Sequence, residues 1–213
     1  MLKRLVVTCC LAAGAVSAQT QNWELGIIGG YGFSRDLTVV KGTASADTGI
    51  RHGAVIGAFG GGDTHEYWSG EVRYLYRYSD LKLKSGSTKA PDFAAHTHII
   101  GADFLGHFRP RSSSFRPFIA FGGGAKVFVG TGIESAAQPL GNLAALTATR
   151  ETVGMVDVGA GIKMNLRNHV RFRVEMRDYI SPAPKNLIAP APGASLRGIL
   201  NDIQGLVGIS ATW

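Results

Sequence analysis

The chain has 213 residues, a formal net charge of +7 and a mean hydropathy of +0.09. This length is enough for one domain. After residue 18 there is no run of the ~18 consecutive apolar residues that a spanning helix needs, which excludes a helical membrane protein. Cys9 and Cys10 both precede that point, so the rest of the chain has no disulfide framework and no thiol chemistry.

Residues 1–18 have the pattern of a cleaved secretory signal peptide. Lys3 and Arg4 give a basic start, an apolar stretch follows, and Val16-Ser17-Ala18 is a small-residue stop. A membrane-anchoring helix is the alternative, but the apolar stretch is shorter than the ~18 residues such a helix requires. We therefore expect cleavage after Ala18, which leaves residues 19–213 as the mature domain.

Eight later segments alternate between apolar and polar or small residues with a period of two, as β-strands do. The helical period of 3.6 residues fits none of them as well. In chain order these segments are Trp23–Phe33, Gly53–Phe59, Tyr67–Tyr78, His96–Phe108, Pro117–Phe128, Thr152–Met164, Val170–Arg177 and Ile203–Trp213. The register near Asp178 is open, because strict alternation directs this carboxylate toward the apolar side.

The last segment carries the most information. Ile203, Val207, Ile209 and Trp213 fall on one face, whereas small and polar residues dominate the other. A tryptophan at a strand end sits well at the headgroup level of a bilayer. This segment therefore indicates a strand in the wall of a transmembrane barrel.

The connections alternate between long and short. The long ones are 34–51, 79–95, 129–151 and 180–201, and the short ones are 60–66, 109–116 and 165–169. Outer-membrane barrels have this asymmetry, with short turns facing the periplasm and long loops facing outside. The basic turn with Arg109, Arg111 and Arg116 is then expected to be a solvated periplasmic turn.

Most aromatic residues of these segments fall into two groups, as the two interfacial girdles of a membrane barrel require, and Phe104 and Phe121 lie between the groups. Trp23, Phe59, Trp68, Phe108, Phe118, Phe172 and Trp213 adjoin the short turns or the termini, and Tyr31, Phe33, Tyr76, Tyr78 and Phe128 lie near the long loops. A soluble barrel of lipocalin type is the rival, since alternation alone does not say which face is inside. The girdles, the loop asymmetry and the terminal tryptophan favour the membrane.

Several stretches resemble the small eight-stranded outer-membrane barrels, the group that contains the membrane domain of outer-membrane protein A. They are Arg116–Ala125, Asp157–Lys163, Arg173–Tyr179 and Gly205–Ile209. The resemblance implies an all-β, eight-stranded antiparallel up-and-down transmembrane barrel in the outer membrane. It also implies that Ile209, Ala211 and Trp213 form the signal read by the barrel assembly machinery, although the last aromatic residue of the family is usually Phe.

The polar faces of these strands carry charges of both signs, which we expect to form a network inside the barrel. They are Glu71, Arg73, Arg77, Asp103, His107, Lys126, Asp157, Lys163, Arg171, Arg173, Glu175 and Arg177. With eight strands the side chains fill the interior, and buried charges must pair or meet water. We expect a closed plug of ion pairs; a narrow gated conduit is the alternative.

Other motifs give little support for chemistry. His96 and His98 share a strand face but have no evident third ligand, so we expect no metal site. Lipid-deacylating barrels place a His and a Ser two apart on a late strand, whereas His169 here is followed by Val170 and Arg171. The glycines at 122–124 lack the lysine and helix of a phosphate loop. We therefore expect no enzyme, no cofactor and, without an aromatic-interleaved basic face, no nucleic-acid partner.

The sequence thus predicts a monomeric barrel among outer-membrane lipids, with a structural or adhesion-type surface role carried by its extracellular loops. A narrow pore or a transporter for small or apolar solutes is the alternative, and a lipid-modifying enzyme is a third reading. The apolar residues of the loops have three explanations that the sequence leaves open. They contact an extracellular ligand, cover the barrel entrance or pack on one another.

Overall fold

The computed structural model describes residues 22–135 and 138–213, so the predicted signal peptide lies outside the described residues. All regular structure in these two ranges is β-strand. No helix long and apolar enough to cross a membrane occurs in the described part of the chain.

Eight long strands close into one antiparallel barrel, which confirms the predicted fold class. They are β1 (Trp23–Ser34), β4 (Gly53–Asp63), β5 (Trp68–Tyr78), β8 (Ala95–His107), β9 (Phe115–Gly130), β11 (Arg150–Arg167), β12 (Val170–Pro182) and β15 (Ile199–Thr212). Each of these eight strands pairs with the next of the eight along the chain, and β1 closes the barrel against β15. The first and last residues of this wall are joined directly, because the Trp23 amide donates to the Trp213 carbonyl at 3.0 Å.

Side chains alternate strictly between the two faces of the barrel wall. On β1, Leu25 and Ile27 point outward and are more than half exposed, while Glu24 and Ile28 point inward and are buried. On β5 the outward Val72 and Tyr74 alternate with the inward Arg73 and Leu75 in the same way. The apolar face is therefore outside, as a lipid environment requires and a lipocalin-type barrel does not.

Seven shorter strands lie in the four long connections, where the sequence analysis expected loops. They are β2 (Leu37–Lys41), β3 (Ala44–Ile50), β6 (Leu81–Ser85), β7 (Thr88–Lys89), β10 (Ala144–Leu146), β13 (Ile188–Pro190) and β14 (Ser195–Arg197). They form a five-stranded sheet in the order β14-β2-β3-β6-β7 and a separate β10-β13 pair. We call this assembly, residues 35–52, 79–94, 131–135, 138–149 and 183–198, the outer cap.

The outer cap has an apolar core of its own. Side chains from all four connections pack into one buried cluster, among them Leu37, Leu83, Leu146 and Leu187. The cluster continues onto the barrel rim through Phe128, which is buried beneath it. Of the three explanations that the sequence left open for apolar loop residues, the structure therefore supports packing on one another.

The aromatic girdles are partly corrected. Trp23, Trp68 and Trp213 lie on the outer face near the short turns, as expected. Phe59, Phe118 and Phe128, in contrast, occupy inward positions of their strands and are buried inside the molecule. Their strands continue past the predicted ends, so proximity to a strand end was a poor guide to the face on which an aromatic residue lies.

Candidate functional site

The barrel interior contains fifteen buried charged side chains among the described residues, eight cationic and seven anionic. Eleven of them, together with the buried His107, are the twelve residues that the alternation places inside. Glu24, Asp63, Arg116 and Asp202 complete the set and were missed by the sequence analysis. Because isolated buried ions are very costly, the arrangement of their partners decides whether this interior is stable.

A central cluster joins three arginines to four carboxylates. Arg73 contacts Glu175 at 2.7 Å and Asp103 at 2.8 Å, and it also pairs with Glu71. Glu175 of β12 lies across the lumen from Arg73 of β5, whereas Asp103 is on the neighbouring strand β8 and Glu71 is on β5 itself. The cluster therefore combines ion pairs across the barrel with ion pairs along its wall.

The two other arginines of the central cluster complete its pairing. Arg173 contacts Glu71 at 2.6 Å, and Arg177 contacts Asp103 at 2.9 Å and Asp157 at 2.8 Å. Each arginine therefore shares carboxylates with the others, which makes one connected network out of side chains from four strands. Shared partners of this kind couple energetically, so the cluster is expected to respond as a unit.

An inner cluster lies near the periplasmic turns. Glu24 accepts from Lys163 at 2.7 Å and from the Ser210 hydroxyl at 2.8 Å, and Arg171 approaches it at 3.5 Å. Arg116 pairs with Asp63 at 3.1 Å.

Arg116 corrects one expectation of the sequence analysis. This arginine is not part of a solvated turn, because β9 begins at Phe115 and directs its side chain inward, where it is 1% exposed. Its guanidinium also donates to the Glu66 carbonyl at 3.1 Å. Arg116 therefore ties the turn between β4 and β5 to the barrel interior.

An outer cluster lies just beneath the cap. Asp202 receives Arg77 at 3.0 Å and Lys126 at 3.5 Å. Arg77 also donates to the Ser34 hydroxyl at 2.9 Å, and Lys126 donates to the Tyr179 carbonyl at 2.9 Å. These contacts bind the outer ends of five barrel strands, β1, β5, β9, β12 and β15, to one another from the inside.

Apolar side chains separate the central and outer clusters. Leu75 occupies the inward position of β5 between Arg73 and Arg77, and it packs in a buried group that includes Ile28, Ile99 and Leu206. The sequence analysis did not predict that the ionic clusters and this apolar layer follow one another along the barrel axis. Alternation shows on which face of a strand a side chain lies, but not which side chains of different strands lie at the same height. The interior is therefore filled by alternating ionic and apolar levels rather than by a purely polar plug.

Two buried phenylalanines support the central cluster. The guanidinium carbon of Arg173 lies 4.3 Å from the centre of the Phe59 ring and 5.4 Å from that of Phe118, within the range of cation–π attraction. Gly122, on the same strand as Phe118, makes room for the charges, because a Cβ there would collide with the carboxylates of Asp103 and Asp157. The inward phenylalanines and this glycine thus shape the space in which the charges pair.

The histidines at positions 96, 98 and 169 contact aromatic rings or a backbone carbonyl. No group of three His, Cys, Asp or Glu side chains suited to a metal occurs among residues 22–135 and 138–213. His96 and His98 lie on the outer face and both contact the ring of Tyr76. His169 Nδ1 donates to the Thr212 carbonyl at 3.0 Å.

A buried Ser–His contact was missed by the sequence analysis. The Ser69 hydroxyl lies 2.8 Å from His107 Nε2 inside the barrel. A nucleophile needs a base that a third group orients, yet His107 Nδ1 has no hydrogen-bond partner in the described part of the chain. Both side chains are also buried, and we interpret this contact as a hydrogen bond that stabilises the barrel interior.

The closing strand matches the expected orientation. Ile209, Ala211 and Trp213 all point outward, and Ile209 and Trp213 are 46% and 62% exposed. Strict alternation also holds at Asp178, which settles the open register. Its carboxylate lies on the outer face near the rim and accepts from Asn201 Nδ2 at 2.8 Å and from the Asp202 amide at 3.1 Å.

An outward apolar band around a closed antiparallel barrel is characteristic of outer-membrane β-barrel proteins, and this fold places the chain in that class. The family model described as outer membrane protein beta-barrel domain matches residues 6–186. The chain belongs to this family, and its location is the outer membrane, where lipid surrounds the barrel. No curated protein sequence matches it.

Two solved structures illustrate the likeness in fold. Neisserial surface protein A, from Neisseria, is 10% identical with a TM-score of 0.57, and the match covers 92% of this chain and 100% of that one. The outer membrane protein OprG from Pseudomonas aeruginosa is 11% identical with a TM-score of 0.54, covering 89% of this chain and 95% of that one. At such identities the likeness concerns the fold alone.

Proposed function

We propose that this protein is a structural outer-membrane barrel that conducts no solutes and has a surface-interaction role of adhesion type. The outer cap is the surface that binds the partner. The observation that carries the proposal is the shared apolar core of the four outer connections. Surface groups on a folded support lose little conformational entropy when they bind a partner. Flexible loops of the same composition would lose more.

The barrel interior supports closure rather than conduction. Three ion pairs of the central cluster cross the lumen, Arg73 with Glu175, Arg173 with Glu71 and Arg177 with Asp103, and the Leu75 layer lies between that cluster and the outer one. A narrow pore would need a continuous wet path, which larger barrels provide and an eight-stranded barrel filled by side chains does not. The pore or transporter is therefore the second candidate.

The proposal includes the partners expected from the sequence. Outer-membrane lipids surround the barrel, the assembly machinery reads Ile209, Ala211 and Trp213, and an extracellular ligand binds the outer cap of a monomer. The proposal includes no catalytic step and no cofactor, since the buried Ser69–His107 pair lacks both an orienting group among the described residues and access for a substrate.

Attachment of bacteria that produce the protein tests this proposal. A non-adherent strain producing the full chain is compared with one producing a Lys82→Glu and Lys84→Glu variant, which changes outward positions of the β6 strand in the cap. Arg167→Glu, an exposed change at a periplasmic turn, is the matched control. Retention is counted on bare glass, on collagen and on heparin, after the amount at the cell surface has been equalised.

We expect retention above that of non-producing cells on at least one surface, a decrease in the cap variant and no change in the control. Equal retention of producing and non-producing cells on all three surfaces would refute the adhesive role. An equal decrease in both variants would place the effect outside the cap.

A further inference from the structure

The barrel wall is open on one side at its outer end, between β11 and β12. The last pair of the ladder joining these strands is Val156 with Ile180. Beyond it β11 continues to Arg150 on β9 alone, and β12 continues to Pro182 on β15 alone. The two strands therefore diverge while each keeps its other neighbour.

Local chemistry explains why the ladder stops here. Pro182 has no amide hydrogen and cannot donate to a partner strand. The cap then bridges the gap from above, where the Asn186 amide donates to Glu151 Oε2 at 2.7 Å and the Asn186 carbonyl accepts from the Thr147 hydroxyl. The result is a cleft framed by the last strand pair below and by the hydrogen bonds of Asn186 above.

This cleft has a volume of about 650 Å³, within the range of ~300–1,000 Å³ that is typical of small-molecule sites. Its lipid-facing side is formed by Val156, Ile180 and Ile199, and Leu196 of the cap overhangs it. Met155, whose side chain points into the barrel, lies at its inner side. The cleft therefore opens on the outer leaflet and is mainly apolar.

A buried hydroxyl lies at the inner side of the same cleft, beside Met155, because Ser181 occupies an inward position of β12. Ser181 is 2% exposed, and its Oγ has no hydrogen-bond partner in the described part of the chain. An unpaired buried hydroxyl costs free energy unless a ligand or water satisfies it. Lys185 adds one cation to the lining of the cleft, so both polar groups can donate to a ligand oxygen.

We propose that this cleft binds a single-chain fatty acid from the outer leaflet. The alkyl chain lies along the apolar lining, and the carboxylate accepts from the Ser181 hydroxyl and pairs with Lys185. Because the cleft is the space between two neighbouring strands, framed above and below, it admits one chain and not the paired chains of a phospholipid. This site is separate from the cap surface proposed above, so either can fail without the other.

Photolabelling of the full chain in phospholipid nanodiscs tests the site. The probe is palmitic acid with a diazirine a few carbons from its carboxylate, and the labelled residues are identified by mass spectrometry. We expect labelling that saturates, that unlabelled palmitic acid displaces, and that concentrates on residues 154–156 and 180–183. A diazirine phospholipid serves as the two-chain comparison.

Glycine substitutions provide a matched pair of variants. A Cβ at Gly154, which lines the cleft, and one at Gly70, on β5 across the barrel, both meet nothing within 4 Å. Gly154→Trp fills the cleft and Gly70→Trp adds the same bulk elsewhere on the outer face. We expect Gly154→Trp to remove the saturable labelling and Gly70→Trp to retain it, with both variants keeping the gel shift of a folded barrel.

Polar variants test the headgroup. Lys185→Gln and Ser181→Ala should each weaken the affinity for palmitic acid by about tenfold, as expected for a lost hydrogen bond to a charged group. The affinity for hexadecanol should fall less in Lys185→Gln, because the alcohol has no charge to pair. Labelling that is spread over the whole lipid-facing surface, survives Gly154→Trp, or is matched by the phospholipid probe at the same residues would overturn the proposal.

Discussion

The barrel interior and the outer cap are both closed by packing, but the chemistry of their cores is opposite. Along β5 the buried side chain at the outer end is Arg77, and four residues later in β6 the buried side chain is Leu81. The buried side chains change from charged to apolar because the surroundings change from lipid to water. In the bilayer the apolar face must turn outward and the polar groups are left inside, whereas above it water takes the polar face and the apolar groups form the core.

The two cores should therefore fail differently. The barrel holds charges that must stay paired, so removal of one partner leaves the oppositely charged side chains buried without a counter-charge. The cap holds apolar side chains, so truncation leaves a cavity and weakens only the region that shares it.

The largest effect is expected for Arg73→Ala, because this arginine contacts three carboxylates of the central cluster. Loss of one partner of a buried ion pair costs ~3–5 kcal/mol of the free energy of unfolding. Urea titration of the protein folded into liposomes, followed by tryptophan fluorescence, measures this loss. Arg167→Ala, an exposed change, is the control, and equal midpoints for the two variants would contradict the assigned role of the central cluster.

A smaller and more local effect is expected for Leu83→Ala in the core of the outer cap, where Leu83 is fully buried. Truncation of a buried leucine costs ~2–5 kcal/mol, and here the loss should open the cap while the barrel persists. Cleavage by an external protease on intact cells should increase at unchanged gel mobility of the barrel fragment. Lys84→Ala, on the outward side of the same strand, should behave as wild type; protection equal to wild type in Leu83→Ala would argue against a shared cap core.

Asp178→Ala should cost about 1–2 kcal/mol, because it removes two hydrogen bonds that a carboxylate accepts on the outer face. Asp178→Asn keeps an acceptor oxygen at this position and should recover part of the loss. Both values come from the same urea titration. A wild-type midpoint in Asp178→Ala would mean that these contacts are replaced by water at the rim.

The smallest effect is expected for Lys82→Ala, which removes a partly exposed ion pair with Asp36 at 2.6 Å. Pairs of this kind contribute ~0–1 kcal/mol and are screened by salt. The midpoint should move little, and less in high salt. A loss comparable to that of Leu83→Ala would show that charge, rather than apolar packing, holds the cap together.

The sequence predicted the barrel well because alternation over a long strand is a strong local signal. All eight barrel strands were found, and the polar side chains predicted on one face of β5 and β12, from Glu71 to Arg77 and from Arg171 to Arg177, are buried. Glu24 was missed although it lies between the outward Trp23 and Leu25, a signal that was present. The same rule of alternation could have placed Asp178.

The remaining misses lie where local signals end. Asp63, Arg116 and Asp202 fall just beyond the predicted strand limits, and strand limits depend on partners across the sheet. The short cap strands, such as β10 and β14, have three residues each and are fixed by tertiary packing, which no local pattern encodes. The pairing of charges across the lumen likewise depends on levels that only the closed barrel defines.

Ion conductance of the full chain in a planar bilayer tests the central claim most directly, with insertion confirmed separately by protease protection. A barrel closed by paired charges and the Leu75 layer should give a silent bilayer, and so should a Leu83→Ala variant whose cap is open. Discrete current steps in the wild-type protein, altered by Glu71→Ala and Arg73→Ala, would contradict closure and show that the interior charges line a conduit.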